Sequence, residues 1–108
     1  MPGKHVPIYS TKEDERDLRE SINEFVVALA ERVDALQDAE GEGNLRELRA
    51  LAASLARDAE RVGYLPLAGI ATDVVQACAQ GEPDVAQKAL VALTDIGRRI
   101  RMGHRGAS

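Results

Sequence analysis

Few side chains in this 108-residue sequence could act as nucleophiles, bases or metal ligands. The two histidines, His5 and His104, lie near opposite ends of the chain, and the single cysteine, Cys78, falls on an apolar helical stripe. An imidazole or a thiol can attack phosphorus or bind zinc, but both reactions need further groups close by. We therefore interpret both histidines as solvated terminal residues and Cys78 as a small core residue. We expect no metal and no cofactor.

Other motifs that would indicate an enzyme are absent from the sequence. There is no glycine-rich phosphate loop, no zinc-ligand spacing and no pair of carboxylates typical of a catalytic cleft. Acidic pairs such as Glu13 with Asp17, and Glu20 with Glu24, are typical of a solvated helix face. The sequence therefore does not favour an enzyme.

The composition is that of one globular domain. Apolar residues make up 44% of the chain and charged residues 30%, and the few aromatic residues predict an aliphatic core. The net charge of -4 combines an acidic segment over residues 13–42 with four arginines and no acid over residues 97–108. We expect no nucleic-acid binding, because the arginines fit the polar side of a helix end. A lone cysteine and the lack of a signal peptide or membrane-spanning run favour a cytoplasmic protein.

Apolar residues at three- and four-residue steps predict four amphipathic helices and no strands. The first follows an extended lead-in over residues 1–9 and capping-box spacings at Ser10 and Thr11, and it is either one long helix or two with a slight break. Its apolar stripe is Leu18, Ile22, Phe25, Leu29, Val33 and Leu36. The second helix follows the stretch GEGN at residues 41–44 and has the stripe Leu45, Leu48, Ala52, Leu55, Ala59 and Val62.

Glycines and prolines separate the remaining helices. Gly63 ends the second, Pro66 fits the first turn of the third, and Gly81 followed by Pro83 separates the third from the fourth. The inward faces are predicted as Leu67, Ile70, Ala71, Val74 and Cys78, and then Val85, Ala89, Leu93, Ile96 and Ile100. Short turns between such helices predict an all-α, antiparallel up-down four-helix bundle over residues 10–102, with a flexible tail over 103–108.

The segment RELRALAASLARDAERVG, continuing into YLPLAGIATDVVQACAQGEPDVAQKAL, resembles the histidine-containing phosphotransfer (HPt) domain family. The resemblance covers roughly residues 7–102. It implies a four-helix bundle that works with receiver domains and histidine kinases in two-component phosphorelays. The corresponding helix of the family resembles L-x-x-L-A-H-x-L-K-G-x-A, in which the histidine carries the phosphoryl group.

Alignment on that helix places Ala53 at the position of the phosphorylated histidine, Ala56 at that of the lysine and Arg57 at that of the glycine. A methyl group has no nucleophilic atom, so phosphotransfer at position 53 is impossible. The neighbouring Ser54 is about 100° around the helix from position 53. It is a poor nucleophile without an adjacent base, so we interpret it as an ordinary surface serine.

Small and basic residues on the outer face of the second helix could still form a docking surface. Alanines allow a partner to approach closely, and arginines complement an acidic receiver pocket. The simpler interpretation is a solvated face with alanines of high helix propensity. The candidate residues are Arg46, Arg49, Ala50, Ala53, Ala56, Arg57 and Glu60.

The sequence thus predicts a degenerate HPt protein that binds a receiver domain or a histidine kinase without exchanging phosphate, as an adaptor or competitor. The alternative is a helical interaction module unrelated to phosphorelays, in which exposed apolar residues such as Val27 or Leu90 form a homodimer. A nucleic-acid binder acting through the arginine-rich end is a further, less favoured class.

Overall fold

The structure, a computed structural model, describes residues 16–107, and the side chains of residues 19–104. It contains four helices: α1 (Arg16–Gly41), α2 (Leu45–Arg61), α3 (Leu65–Ala79) and α4 (Pro83–Ala107). Each helix packs against the next in the chain and α4 packs against α1, which closes an antiparallel four-helix bundle. The described residues form no strand. The predicted fold class is confirmed.

Three turns of the same geometry connect the helices, each with three residues between helix ends. The glycine of each turn has a positive φ: 70° at Gly43, 89° at Gly63 and 68° at Gly81. The glycine N–H donates to the carbonyl three residues earlier, and the N–H of the following residue donates to the carbonyl five residues earlier. This Schellman arrangement satisfies the last carbonyls of one helix and reverses the chain immediately.

The core is aliphatic at the centre, with one aromatic pair. Phe25 of α1 stacks on Tyr64, which precedes α3, with ring centroids 5.8 Å apart. Tyr64 is only 1% exposed and is the largest fully buried side chain, a role that the sequence did not predict. Every buried side-chain nitrogen or oxygen within the described residues has a hydrogen-bond partner.

The first helix is continuous from Arg16 to Gly41, so the two-helix alternative is wrong. Its described core residues follow the predicted stripe: Ile22, Phe25, Leu29, Val33 and Leu36 are all buried. The predicted lead-in and the capping spacings at Ser10 and Thr11 lie outside the described residues.

The inward face of α4 was predicted in part: Leu93 and Ile100 are buried, and Ala89 and Ile96 pack against the core. Val85 is 49% exposed, whereas Leu90, predicted to be exposed, is only 4% exposed. The face that packs inward is Ala86, Leu90, Leu93, Gly97 and Ile100. Because Ala86 and Gly97 are small, they contribute little to the apolar pattern of α4. The predicted inward face was therefore shifted to one side of the observed one.

The end of α4 also lies beyond its predicted position. The helix continues through residues 103–107, where the sequence predicted a flexible tail. Gly103 is buried, and His104 Nε2 lies 2.9 Å from Asn23 Oδ1 on α1, within hydrogen-bond distance. His104 is therefore a partner of α1 rather than a solvated terminal residue, and His5 lies outside the described residues.

Candidate docking surface on the second helix

The outer face of α2 is fixed by its buried face. Leu48, Ala52, Leu55 and Ala59 are buried against the other helices, as predicted. At the start of the helix, Asn44 Oδ1 accepts a hydrogen bond of 3.0 Å from the Glu47 N–H, which caps an otherwise unpaired donor. A regular helix with one buried face must present the opposite residues outward.

The residues predicted as a docking surface lie on the outer and lateral sides of α2. Ala53 and Ala56 are half-buried, and Ala56 packs against the edge of the core. The other five are exposed: Arg46, Arg49, Ala50, Arg57 and Glu60. The structure therefore places them on one helix, although they do not form one flat patch.

Three of these residues line a groove between α2 and α3. The α2 side is formed by Ala56, Arg57 and Glu60, and the α3 side by Leu65, Ala68, Gly69 and Thr72. Leu65 is 53% exposed at the edge of this groove. The α3 side of the groove was not predicted from the sequence, in which a leucine directly before Pro66 was the available signal.

The side chains beside Ala53 can make packing and charge contacts, but they do not form an activated nucleophile. Ser54 Oγ accepts a hydrogen bond of 3.1 Å from Arg32 Nη2 on α1. A guanidinium remains protonated and cannot act as a base, so this contact does not activate the hydroxyl as a nucleophile. Ser54 is a contact between helices rather than a free surface serine.

The arginines of the outer face are available to a partner. In the described part of the chain, Arg46, Arg49 and Arg57 form no ion pair within 4 Å, whereas Arg61 Nη2 lies 3.8 Å from Asp58 Oδ1. Unpaired exposed arginines give this helix a local positive field despite the negative net charge of the chain.

Other candidate sites are accounted for by packing. Cys78 is buried, and burial raises the pKa of its thiol above the ordinary value while the Arg49 guanidinium opposes this shift. Among the described residues, no three histidine, cysteine or acidic side chains are placed to hold a metal ion. No described helix has the length and apolar character required to cross a membrane.

Comparison with known proteins gave no match to a family model, a curated protein or a solved structure. The resemblance to HPt domains therefore rests on the sequence pattern, and the function derived from it is a proposal.

Proposed function

We propose that this protein is an HPt-like domain that lacks the phosphoryl acceptor and binds receiver domains or a histidine kinase through the outer side of α2. The observation that carries the proposal is the position of Ala53. It lies on the side of α2 away from the core, near exposed arginines, where the resemblance places a phosphorylated histidine.

The proposed mode of binding follows from the side chains present. The phosphorylation pocket of a receiver is acidic, so Arg46 and Arg57 would attract it, and the small Ala50 and Ala53 would allow close approach. Because no nucleophile stands at position 53, phosphate would stay on the receiver. Such a protein would act as an adaptor or as a competitor of an active HPt domain.

Binding is tested by capture from native lysate on the tagged protein, with identification by mass spectrometry and titration of the recovered proteins. Ala53→Glu places bulk and negative charge on the proposed surface, whereas the matched control Ala92→Glu makes the same change at an exposed position of α4. We expect receiver domains or kinases to be retained by the wild type and by Ala92→Glu, and lost with Ala53→Glu. Retention by Ala53→Glu would contradict the proposed surface.

The absence of phosphotransfer is tested by a variant that restores the phosphoryl acceptor. A variant with Ala53→His, Ala56→Lys and Arg57→Gly regains the three residues of the family motif. The imidazole nitrogen would attack the phosphorus of an aspartyl phosphate, breaking the phosphorus–oxygen bond to the carboxylate and losing its own proton. We expect this variant to take up labelled phosphate from a phosphorylated receiver, and the wild type to take up none. Stable labelling of the wild type would refute the proposal.

A further inference from the structure

The outer face of α1 has a regular row of acids. Glu24, Glu31 and Asp38 are all exposed and seven residues apart, which places them in line at intervals of about 10 Å. None of the three forms an ion pair within the described residues. The only arginine within residues 20–38, Arg32, is bound to Asp58 of α2. The exposed charged side chains on this face of α1 are therefore acidic, and the exposed Val27 lies among them.

The adjacent outer face of α2 has the opposite charge. Four arginines of α2 are exposed, Arg46, Arg49, Arg57 and Arg61, against two exposed acids, Glu47 and Glu60, so the charge of this face is mainly positive. Between the two helices runs a shallow groove that includes Glu31, Ala35, Leu51 and Ser54. One face of the bundle thus has an acidic half and a mainly basic half, separated by a groove that Arg32 and Leu55 also line.

We propose that this α1–α2 face binds the same face of a second copy of this chain. Only one orientation matches the charges. One possible two-fold axis lies in the plane of contact and runs perpendicular to the helices. It would place α1 of one copy on α1 of the other, so that acids face acids. A two-fold axis parallel to the helices places α1 on α2 of the second copy, so that acids face arginines twice.

The register within one chain predicts which residues meet. Arg32 donates hydrogen bonds to both Ser54 and Asp58, so it is about level with Ala56, midway between them. Because α1 and α2 are antiparallel, Glu31 is then about level with Arg57. A two-fold axis parallel to the helices keeps these heights, so Glu31 of each copy faces Arg57 of the other.

The neighbouring pairs in the same register are Asp38 with Arg46 and Glu24 with Arg61, which also lies 3.8 Å from Asp58 of its own chain. They are offset by about one turn or less, a distance that an arginine side chain can span. Ala35 is then at about the height of Ala53, and both side chains are small.

The size of the face predicts a weak dimer. With 17 residues, α2 is about 25 Å long, and two adjacent helices present a face about 20 Å wide. About 500 Å² per copy is at the lower limit for a specific interface. Charge pairs at such an open surface are screened by salt, so the dimer should dissociate as ionic strength rises.

The dimer is tested by sedimentation velocity of the purified protein at about 20 mM and about 500 mM salt, conditions with long and short screening lengths. We expect dimer at low salt and monomer at high salt. Glu31→Arg and Arg57→Glu each place like charges opposite one another in both halves of the interface, and each should weaken association at least about tenfold. The double variant exchanges the charges and should restore association to within about threefold of the wild type.

The control is Asp73→Arg, which makes the acid-to-arginine change at an exposed position on α3 and should leave association unchanged. A wild type that is monomeric at low salt, or a double variant as weak as the single variants, would overturn the proposal. The experiment uses this protein alone, so its failure would leave receiver binding untouched. If both interactions occur, they compete, because each uses Arg57.

Discussion

The guanidinium of Arg32 on α1 donates a hydrogen bond of 2.9 Å to the Asp58 carboxylate on α2. The same side chain donates to Ser54, and its guanidinium carbon lies 5.9 Å from the centre of the Phe25 ring. The side chains of Arg32 and Asp58 are 27% and 37% exposed, so water only partly screens their attraction. This polar contact fixes the height of α1 relative to α2 at the groove that Leu51 and Leu55 also line.

Replacement of Arg32 should therefore destabilise the bundle. We expect Arg32→Ala to lower the free energy of unfolding by about 1–2 kcal/mol, through loss of the ion pair, the Ser54 hydrogen bond and packing on Phe25. Asp58→Ala should cost less, about 0.5–1 kcal/mol, because Asp58 is more exposed and lies near the negative end of the α2 dipole. Urea denaturation of both single variants and the double variant measures the coupling, and strictly additive effects would show that the pair contributes nothing.

Replacing Gly69 and Gly81 with alanine should change the stability of the protein in opposite directions, although both glycines have free space around them. A Cβ atom added at Gly69 or at Gly81 would meet no other heavy atom within 4 Å. Gly69 lies inside α3, where alanine has the better helix propensity, so Gly69→Ala should stabilise by about 0.5–1 kcal/mol. Gly81 has a φ of 68°, where a Cβ is strained, so Gly81→Ala should destabilise by about 1 kcal/mol. Thermal denaturation decides the signs, and equal shifts would contradict the backbone argument.

The sequence was informative where a strong apolar stripe lies between clear stop signals. The buried face of α2 was predicted correctly because leucines define it and Gly43 and Gly63 mark the turns on either side. The face of α4 was predicted only in part: Leu93 and Ile100 were correct, whereas Val85 and Leu90 were wrong. Gly97 also lies on the buried side of this helix. A Cβ atom added at Gly97 would lie 3.5 Å from Val33 Cγ2, an ordinary van der Waals contact. A glycine has no apolar side chain by which the sequence could mark this buried position.

The outer residues of α2 could also be predicted from the sequence, because the buried face of a regular helix determines which residues lie on its outer face. The groove with Leu65 and the contacts of Arg32 with Ser54 and Asp58 could not, because they depend on how separate helices are placed side by side. Local periodicity has no information on those distances. Receiver binding by the Ala53 surface stays a prediction.

The raised pKa of the Cys78 thiol predicts slow reaction and a specific pH dependence. Burial raises the pKa of the Cys78 thiol and so favours its neutral form in the folded protein. The unfolded chain therefore ionises first as pH rises through about 8.5, the ordinary pKa of a free thiol. Above that pH the folded state binds more protons than the unfolded state, and stability falls with rising pH.

Comparison with Cys78→Ala isolates this contribution, because all other titrating groups are shared. The difference in stability between the two proteins should decrease as pH rises above about 8.5. A thiol-specific reagent should also modify native Cys78 more slowly than the urea-unfolded chain. Equal rates in the two states at neutral pH would contradict the burial argument.

The contact between Asn23 and His104 predicts that the end of α4 is held against α1. Asn23→Ala removes the acceptor at 2.9 Å and should lower local stability by about 0.5 kcal/mol, which raises amide hydrogen exchange near His104 about two- to threefold. The matched control is Gln37→Ala, which removes a 3.2 Å hydrogen bond from the Gln37 amide to Thr94 Oγ1 elsewhere on the same α1–α4 seam. That control should affect exchange around Thr94 only. If Asn23→Ala leaves exchange near His104 unchanged, the contact does not stabilise the helix end, and the segment behaves as the tail that the sequence predicted.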